Sequence, residues 1–543
     1  MTIQGHIVDV PGRRIYDGCI DVRHGRIASI HPCAVEAAAP YILPGFVDSH
    51  VHIESSMLLP HQFAPIAVQH GTVGVVADPH EIANVLGIPG IDFMIADGRR
   101  VPFHFCFGLP SCVPCTNMET AGAVITAAET ATLMQRDDIG FLAEMMNVPG
   151  VLFRDGEVLG KLAAARATGK PIDGHAPGLV GDGLKQYAAE GISTDHECTT
   201  LDEARERLAN GMCVLIREGS AAQDFEALSP LLADYAEGLM FCSDDLHPDN
   251  LLHGHVNRLV RRAIAKDYPL WNVLHAACVE PVRHYHMPVG LLQEGDSADF
   301  IVVNDLTEFA IQATYICGER FDAAHPMTAT GCDSKDYPNQ FRAQALTAYD
   351  LRVEPKGDTL RAIVAFNGSL LTDELPFSPS LADGDAVSDT ERDILKIVVL
   401  NRYAPNAKPS IGFIHGFGMK EGALASTVAH DSHNLVAVGT SDEALLTVIN
   451  RVIALGGGIA ACKDDGTVEV LPLPVAGLIS PEPYATVADG YSHLNETAHA
   501  LGCVFDAPFM TLAFMALPVI PKLKITDRGL FDANAFSYTT LEI

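Results

Sequence analysis

The chain has 543 residues, with 36 Lys+Arg against 68 Asp+Glu and a formal net charge of −32. That length exceeds one ordinary domain, and a hydrophobic content of 48% excludes wholesale disorder. The acidic balance excludes a sequence-independent grip on nucleic-acid phosphates or anionic membranes and fits a protein acting on something small. Thirteen cysteines lie scattered without a dense framework, which predicts reduced thiols in a cytoplasmic protein. The start, MTIQGHIVDVPGRR, has no apolar core of a secretory signal, and no apolar run reaches the roughly 18–20 residues of a membrane span. Neither a nucleic-acid nor a membrane partner is expected.

Residues 1–43 read as short strands and turns, with GHIVDV and GCIDVRHGRIASI broken by Pro11-Gly12 and Gly25. A different pattern begins at Leu43-Pro44-Gly45. The apolar runs GFVDSHVHIE, TVGVVAD, FHFCFG, IGFLAEM, PIDGH, ISTDH, MCVLIRE and LMFCSDD alternate with stretches of helical spacing such as LKQYAAE and LDEARERLANG. Eight such units between 44 and 287 predict an α/β fold, a (β/α)8 TIM-type barrel; a doubly wound open sheet is the competing reading. Strands return after Pro288, and 288–345 are expected to complete a small flanking β-sandwich with residues 1–43. Residues 346–390, polar and Asp/Pro/Ser-rich toward their end, read as a connecting segment. Residues 391–543 read as a C-terminal α+β domain, and the apolar stretch FMTLAFMALPVI within it suggests a homodimer.

His50-Val51-His52 ends the first barrel strand. Side chains at i and i+2 of a strand share a side, so both imidazoles can grip one cation. His175, His196 and Asp244 end later strands, where barrel enzymes place their active sites. Ordinary polar strand ends would not place five metal-ligand types in that register. Two metals need a bridging carboxylate, and the fourth strand carries no lysine for carbamylation but does carry Glu144. The bland alternative for Glu144 is a solvated helix start. Asp78-Pro79-His80-Glu81 follows the second strand; Asp78 and Glu81 read either as proton-transfer groups or as helix-capping acids. Cys112 and Cys115 in PSCVPC mimic a zinc deaminase signature, but Ser111 disrupts it. Gly456-Gly457-Gly458 follows a helix instead of leading into one, and so reads poorly as a phosphate cradle.

Several long motifs point further: PGFVDSHVHIESSMLLP, HGTVGVVADPHEIANVLG, LAEMMNVPGV, IDGHAPGL, GISTDHECTTLDEA and FCSDDLHPDNLL. With GFGMKEGALASTVAHDSHNLVAVGT, LPLPVAGLIS and APFMTLAFMALPVIPKLKITDRGL, they resemble the bacterial adenine deaminases of the amidohydrolase superfamily. The resemblance spans nearly the whole chain. It implies hydrolysis of adenine to hypoxanthine and ammonia at a binuclear centre holding two divalent ions, Mn or Fe(II) favoured and Zn admissible. It implies that His50, His52 and Asp244 hold one ion, that His175 and His196 hold the other, and that Glu144 bridges. Two ions lower the pKa of a bridging water. Asp244 then takes its proton, Glu81 serves N1 or the leaving amine, and Asp78 positions Glu81 or the substrate. Ser220, Glu218 and Asp245 are expected near the purine, and the rim motifs hold no Gly-rich anion loop or cluster of Arg and Lys for a phosphate, Arg217 standing alone beside Glu218. Leu246 departs from the family, where Arg is common, and Cys115-Thr116-Asn117 departs from its usual loop. The rivals are an amidohydrolase acting on another aminopurine or cyclic amide, and an inactive metal-binding homologue. His430 and His433 read as a buried hydrogen-bonded turn or a further contact in a domain expected to close the site.

Overall fold

The computed structural model describes residues 1–220, 222–331 and 336–543. The chain divides into two compact units. One comprises Met1–His80, Ile91–Cys112 and Ile125–Asp333; the other comprises Glu81–Gly90, Val113–Val124 and Ser334–Ile543.

The first unit opens with β1 (Thr2–Asp9), β2 (Arg14–Arg23), β3 (Arg26–Pro32) and β4 (Tyr41–Pro44). The next eight strands are β5 (Phe46–Val51), β6 (Thr72–Ala77), β7 (His104–Leu109) and β8 (Phe141–Met145), then β9 (Ile172–Gly174), β10 (Thr194–Asp195), β11 (Cys213–Arg217) and β12 (Leu239–Cys242). β5–β9 and β10–β12 form two parallel sheets. Backbone hydrogen bonds join them at both seams: Ser193 N donates to Ile172 O at 2.8 Å, and Asp244 N donates to His50 O at 2.9 Å. The ring is therefore a TIM-type barrel, and because its strands are parallel their C-terminal ends share one rim. Most barrel-strand residues are buried, as expected of a sheet covered on both faces. Helices between strands are well capped. Asp155 accepts from Glu157 N at 2.9 Å and Val158 N at 3.0 Å to start helix Gly156–Thr168, and Gly169 ends it at φ 72°. Val214, Ile216, Phe241, Leu259 and Val273 pack between strands and helices.

β13 (Phe300–Val303), β14 (Ile311–Ile316) and β15 (Glu319–Phe321) return to the N-terminal strands in one seven-stranded sheet, order β15-β14-β13-β4-β1-β2-β3. Cys19 and Cys33 are disulfide-linked, Cα atoms 5.8 Å apart. The expectation of reduced thiols throughout is corrected here: the β2–β3 register pairs Cys19 with His31 and brings Cys33 alongside.

The second unit contains β16 (Leu360–Ala365), β17 (Thr372–Phe377) and the hairpin β18 (Ser380–Ala382) with β19 (Asp385–Val387). It continues with β20 (Ile394–Leu400), β21 (Ser410–His415), β22 (Ala423–Ser426), β23 (Leu435–Gly439), β24 (Gly458–Cys462) and β25 (Val468–Pro472). All but the hairpin form an eight-stranded sheet, order β17-β16-β21-β20-β23-β22-β24-β25. Residues 346–390 are thus no mere connector: they supply β16 and β17 to this sheet and the β18–β19 hairpin. β17 lies at the sheet edge with its middle residues partly exposed, so its polar sequence reads as loop. Helix Asp442–Leu455 buries Leu445, Val448, Ile449 and Val452 with strand residues such as Ala425 and Ala460. The glycine run after it is structural. Gly456 caps the helix at φ 71°, and a Cβ on Gly457 would lie 2.5 Å from the Cα of Gly477.

Candidate metal centre

Strand ends of the barrel bring His50, His52, Asp78, His80, Glu144, His175, His196 and Asp244 into overlapping clusters able to hold cations. His50 and His52 flank Val51 at the end of β5, and their Nε2 atoms lie 3.1 Å apart. Asp244 Oδ1 is 3.5 Å from His50 Nε2 and 3.1 Å from His52 Nε2. Asp244 itself sits at φ 54°, a left-handed conformation Asp tolerates, fixed by its N–H on His50 O and by His52 N on its own carbonyl. The Glu144 carboxylate has two faces. Oε1 is 3.4 Å from His52 Nε2 and 3.2 Å from His80 Nδ1; Oε2 is 2.7 Å from His175 Nδ1 and 3.2 Å from His196 Nε2.

Neighbouring groups orient these donors. His52 Nδ1 meets Asp78 O at 3.0 Å, which leaves Nε2 facing the cluster. Buried Asp48 accepts from Ser243 N at 3.0 Å and lies 2.7 Å from His255 Nε2, bracing the seam where β12 meets β5. Ser111 Oγ donates to Glu144 O at 2.5 Å, and Lys161 donates to Ser111 O at 2.7 Å. The nearby lysine is therefore on a helix and turned to a carbonyl.

Burial opposes ionisation of Glu144, yet His175, His196 and His80 hold its carboxyl well below the ordinary range. His50, His52 and Arg217 do the same for Asp244. His175 is raised to about 9: burial works against its charge, but Glu197 and Glu144 outweigh it. Facing imidazole nitrogens at 3.1 Å, two ionised carboxylates and a buried Asp78 Oδ1 without a hydrogen-bond partner make a donor surplus that divalent cations neutralise. The residues present fit a metal centre.

Three members were not singled out from sequence as part of the cluster. His80 lies 3.2 Å from Asp78 Oδ2 as well as from Glu144. Glu197 Oε1 lies 3.5 Å from His196 Nε2 and 3.7 Å from His175 Nδ1. Arg217 is buried among Glu197, Asp224 and Asp244, with Nη1 3.0 Å from Asp244 Oδ2 and Nε 3.0 Å from Asp224 Oδ2. Neighbouring Glu218 points the other way. Glu218 pairs with Arg262. Ser220 Oγ accepts from His247 N at 2.8 Å and Asn250 Nδ2 at 3.0 Å. Asp245 accepts from Ser55 Oγ at 2.5 Å and joins His52 and Asp244 in one cluster. Cys112 is buried, its sulfur 3.2 Å from Ser111 Oγ.

Glu81 belongs to the second unit, although it follows His80 directly. Its two oxygens meet His430 Nδ1 and His433 Nε2, all three side chains buried. Ala429 N–H donates to His433 Nδ1 at 3.2 Å, so Nε2 carries the ring proton and donates to Glu81. Burial lowers the pKa of His433, in keeping with that neutral tautomer. His430 stacks on Phe514 with centroids 4.8 Å apart.

Residues 41–321 match the amidohydrolase family, and residues 369–537 match the adenine deaminase C-terminal domain. A protein of Salinibacter ruber named adenine deaminase is 52% identical over 99% of this chain and 98% of its own length. One of the same name from Parabacteroides distasonis is 48% identical over 100% of this chain and 98% of its own. Among solved structures, N-acetyl-D-glucosamine-6-phosphate deacetylase from Mycobacterium smegmatis is similar at 16% identity and TM-score 0.44, over 59% of this chain and 99% of that one.

Proposed function

The chain belongs to the adenine deaminase family of the amidohydrolases, and we propose on that premise that it hydrolyses adenine to hypoxanthine and ammonia. The observation that carries this reading is the buried His/carboxylate cluster at the barrel rim, in a chain that matches its relatives end to end. His50, His52 and Asp244 would hold one divalent ion, His175 and His196 a second, and Glu144 would serve both; the two-faced environment of the Glu144 carboxylate supports that division. When bound, such ions would lower the pKa of a water and so supply the nucleophile for C6 near neutral pH. Manganese or iron(II) is the proposed pair, with zinc admissible for the same donors.

Asp244 accepts the water's proton at its carboxylate. Arg217 on Oδ2 keeps that group ionised before the step and leaves Oδ1 to face the histidines. C6 becomes tetrahedral as N1 gains a proton, and the amine departs as ammonia after gaining another. Glu81 is the proposed carrier. The covalent chain keeps it beside His80, and N–H donors on both oxygens hold its carboxylate in one orientation. Asp78, with one buried oxygen free of hydrogen bonds, positions the substrate, and Asp245 contacts the purine. Ser220 and Glu218 flank the same strand end; Ser220, whose oxygen already accepts twice, contributes only its hydroxyl proton.

No helix among the described residues is long and apolar enough to cross a membrane. A cytoplasmic setting remains part of this proposal. A homodimer draws no support from FMTLAFMALPVI, because Phe509, Met510, Leu512, Phe514 and Met515 are buried within the chain itself.

Ammonia release from the manganese-loaded protein, offered adenine, adenosine, AMP, guanine and cytosine, tests the reading. Adenine should give the highest kcat/KM. Adenosine or AMP turned over as well or better would overturn the substrate while leaving the metal centre intact, and no release from any of them would favour an inactive metal-binding homologue.

A further inference from the structure

A second His/Asp/Cys cluster lies within the barrel unit, away from the metal centre. Cys317 occupies the tight turn between β14 and β15 and, among the described residues, is the exposed free cysteine. His104 begins β7, at the opposite end of the strands from the metal ligands. Asp299, fully buried, precedes β13. One donor atom from each lies within 4.8 Å of the other two. His104 Nε2 is 3.1 Å from Asp299 Oδ2. Asp299 also accepts from Cys317 N at 2.7 Å and Gly290 N at 2.9 Å, which fixes the turn against the carboxylate. Ser297 Oγ donates to the Cys317 sulfur at 3.5 Å.

We propose that Cys317 is a modification site, a thiolate that exchanges with low-molecular-weight disulfides. The arrangement is a nucleophile beside an imidazole oriented by a buried carboxylate, with a hydroxyl as a further donor to sulfur. The cluster sets one imidazole within 4.8 Å of one carboxylate and one thiol, and both Asp299 oxygens already accept backbone N–H groups. The groups facing the sulfur are His104, Asp299 and the Ser297 hydroxyl. The His104 interaction comes first in lowering the Cys317 pKa. Burial opposes charge on His104, but Asp299 and Cys317 raise it to about 9, so it is protonated at neutral pH. In the exchange, the Cys317 thiolate attacks one sulfur of the disulfide, a new S–S bond forms, the old one breaks, and the leaving half departs as a thiolate. His104 keeps its proton, so no oxidant beyond the disulfide is needed.

The test treats the full-length protein with oxidised glutathione from about pH 5 to 10, quenches with acid and maps mixed disulfides by mass spectrometry. The Cys317 peptide should be modified fastest, with a pH–rate midpoint below the roughly 8.5 of an ordinary thiol. His104→Gln should raise that midpoint by about one unit or more, and Ser297→Ala by less. The Ser297 change touches a turn hydroxyl only, so it reports even if His104→Gln fails to fold. A wild-type midpoint at or above the ordinary value, faster modification of another cysteine, or midpoints unmoved by the substitutions would overturn the proposal.

Discussion

The barrel rim and the pocket around Glu81 are both buried clusters of imidazoles and carboxylates, but they balance their charges differently. At the rim, nitrogen lone pairs converge on ionised Glu144 and Asp244, and His50 and His52 face each other at 3.1 Å. Around Glu81, one carboxylate meets two ring nitrogens, one oxygen each, and the tautomer of His433 is set by Ala429 N–H. The first arrangement turns several imidazole nitrogens and carboxylate oxygens toward one another and suits cations. The second closes through protons already present on the rings and suits a group that carries a proton. The ratio of carboxylates to available N–H donors, more than the presence of histidine, separates a metal site from a proton site.

The sharpest way to break this comparison is Glu144→Ala. With a bridging oxygen pair removed, bound metal should fall from about two ions to one or fewer per chain, and ammonia release should fall by at least about a thousandfold. Added bicarbonate should leave the wild type unchanged, because no lysine carbamate forms. Metal analysis of the purified variant checks this directly; a full complement of two ions would remove Glu144 from the ligand set. Next in size is Glu81→Gln, which keeps shape but not the transferable proton. Its kcat should drop by about 10²–10⁴ with metal content unaltered. Loss of metal instead would make the two clusters alike.

These contrasts show what the sequence made legible. Spacing alone placed His50 and His52 on one side of a strand, and eight apolar runs located the ends of the barrel strands that carry His175, His196 and Asp244. Glu144 followed from the missing lysine. His80 was visible as a rim residue, but its approach to Glu144 depends on the turn after β6, which no periodicity reports. The carboxylate partners of Arg217, Glu197, Asp224 and Asp244, escape local pattern because they come from other strand ends and loops, while adjacent Glu218 faces the other way to Arg262. β17 was missed for a similar reason: an edge strand with partly exposed residues need not look apolar. Local pattern reads what strands and helices impose, and long-range charge pairing escapes it.

A smaller effect should come from His430→Phe. Phenylalanine keeps the stack on Phe514 but removes the donor to Glu81. Hydrogen bonds to charged groups contribute about 1.5–3 kcal/mol, so a kcat loss of about 10–100-fold is expected. Metal content should stay near wild type. A variant as active as wild type would reduce the His430 contact to packing.

The mildest test concerns a buried cation without a carboxylate. Lys396 and Lys524 are both fully buried in the second unit. Lys396 donates to Asp442 at 2.6 Å, whereas Lys524 has only the carbonyls of Leu370 and Phe514, at 2.8 and 3.0 Å. Burial pulls Lys524 down to about 7, against about 10.4 for a free lysine. Between those values the unfolded chain binds a proton there that the folded chain does not, so this group makes stability rise with pH across that window. Below about pH 7 both states are protonated and its contribution is level, at its least favourable. Lys524→Met removes the titration and two hydrogen bonds; the second loss does not depend on pH. Denaturant unfolding from pH 7 to 10 should therefore show the variant losing ground against wild type as pH rises, by up to about 1.4 kcal/mol per unit. Parallel stability curves would mean that Lys524 keeps its proton in the folded chain, and that two carbonyl oxygens suffice to hold a buried ammonium.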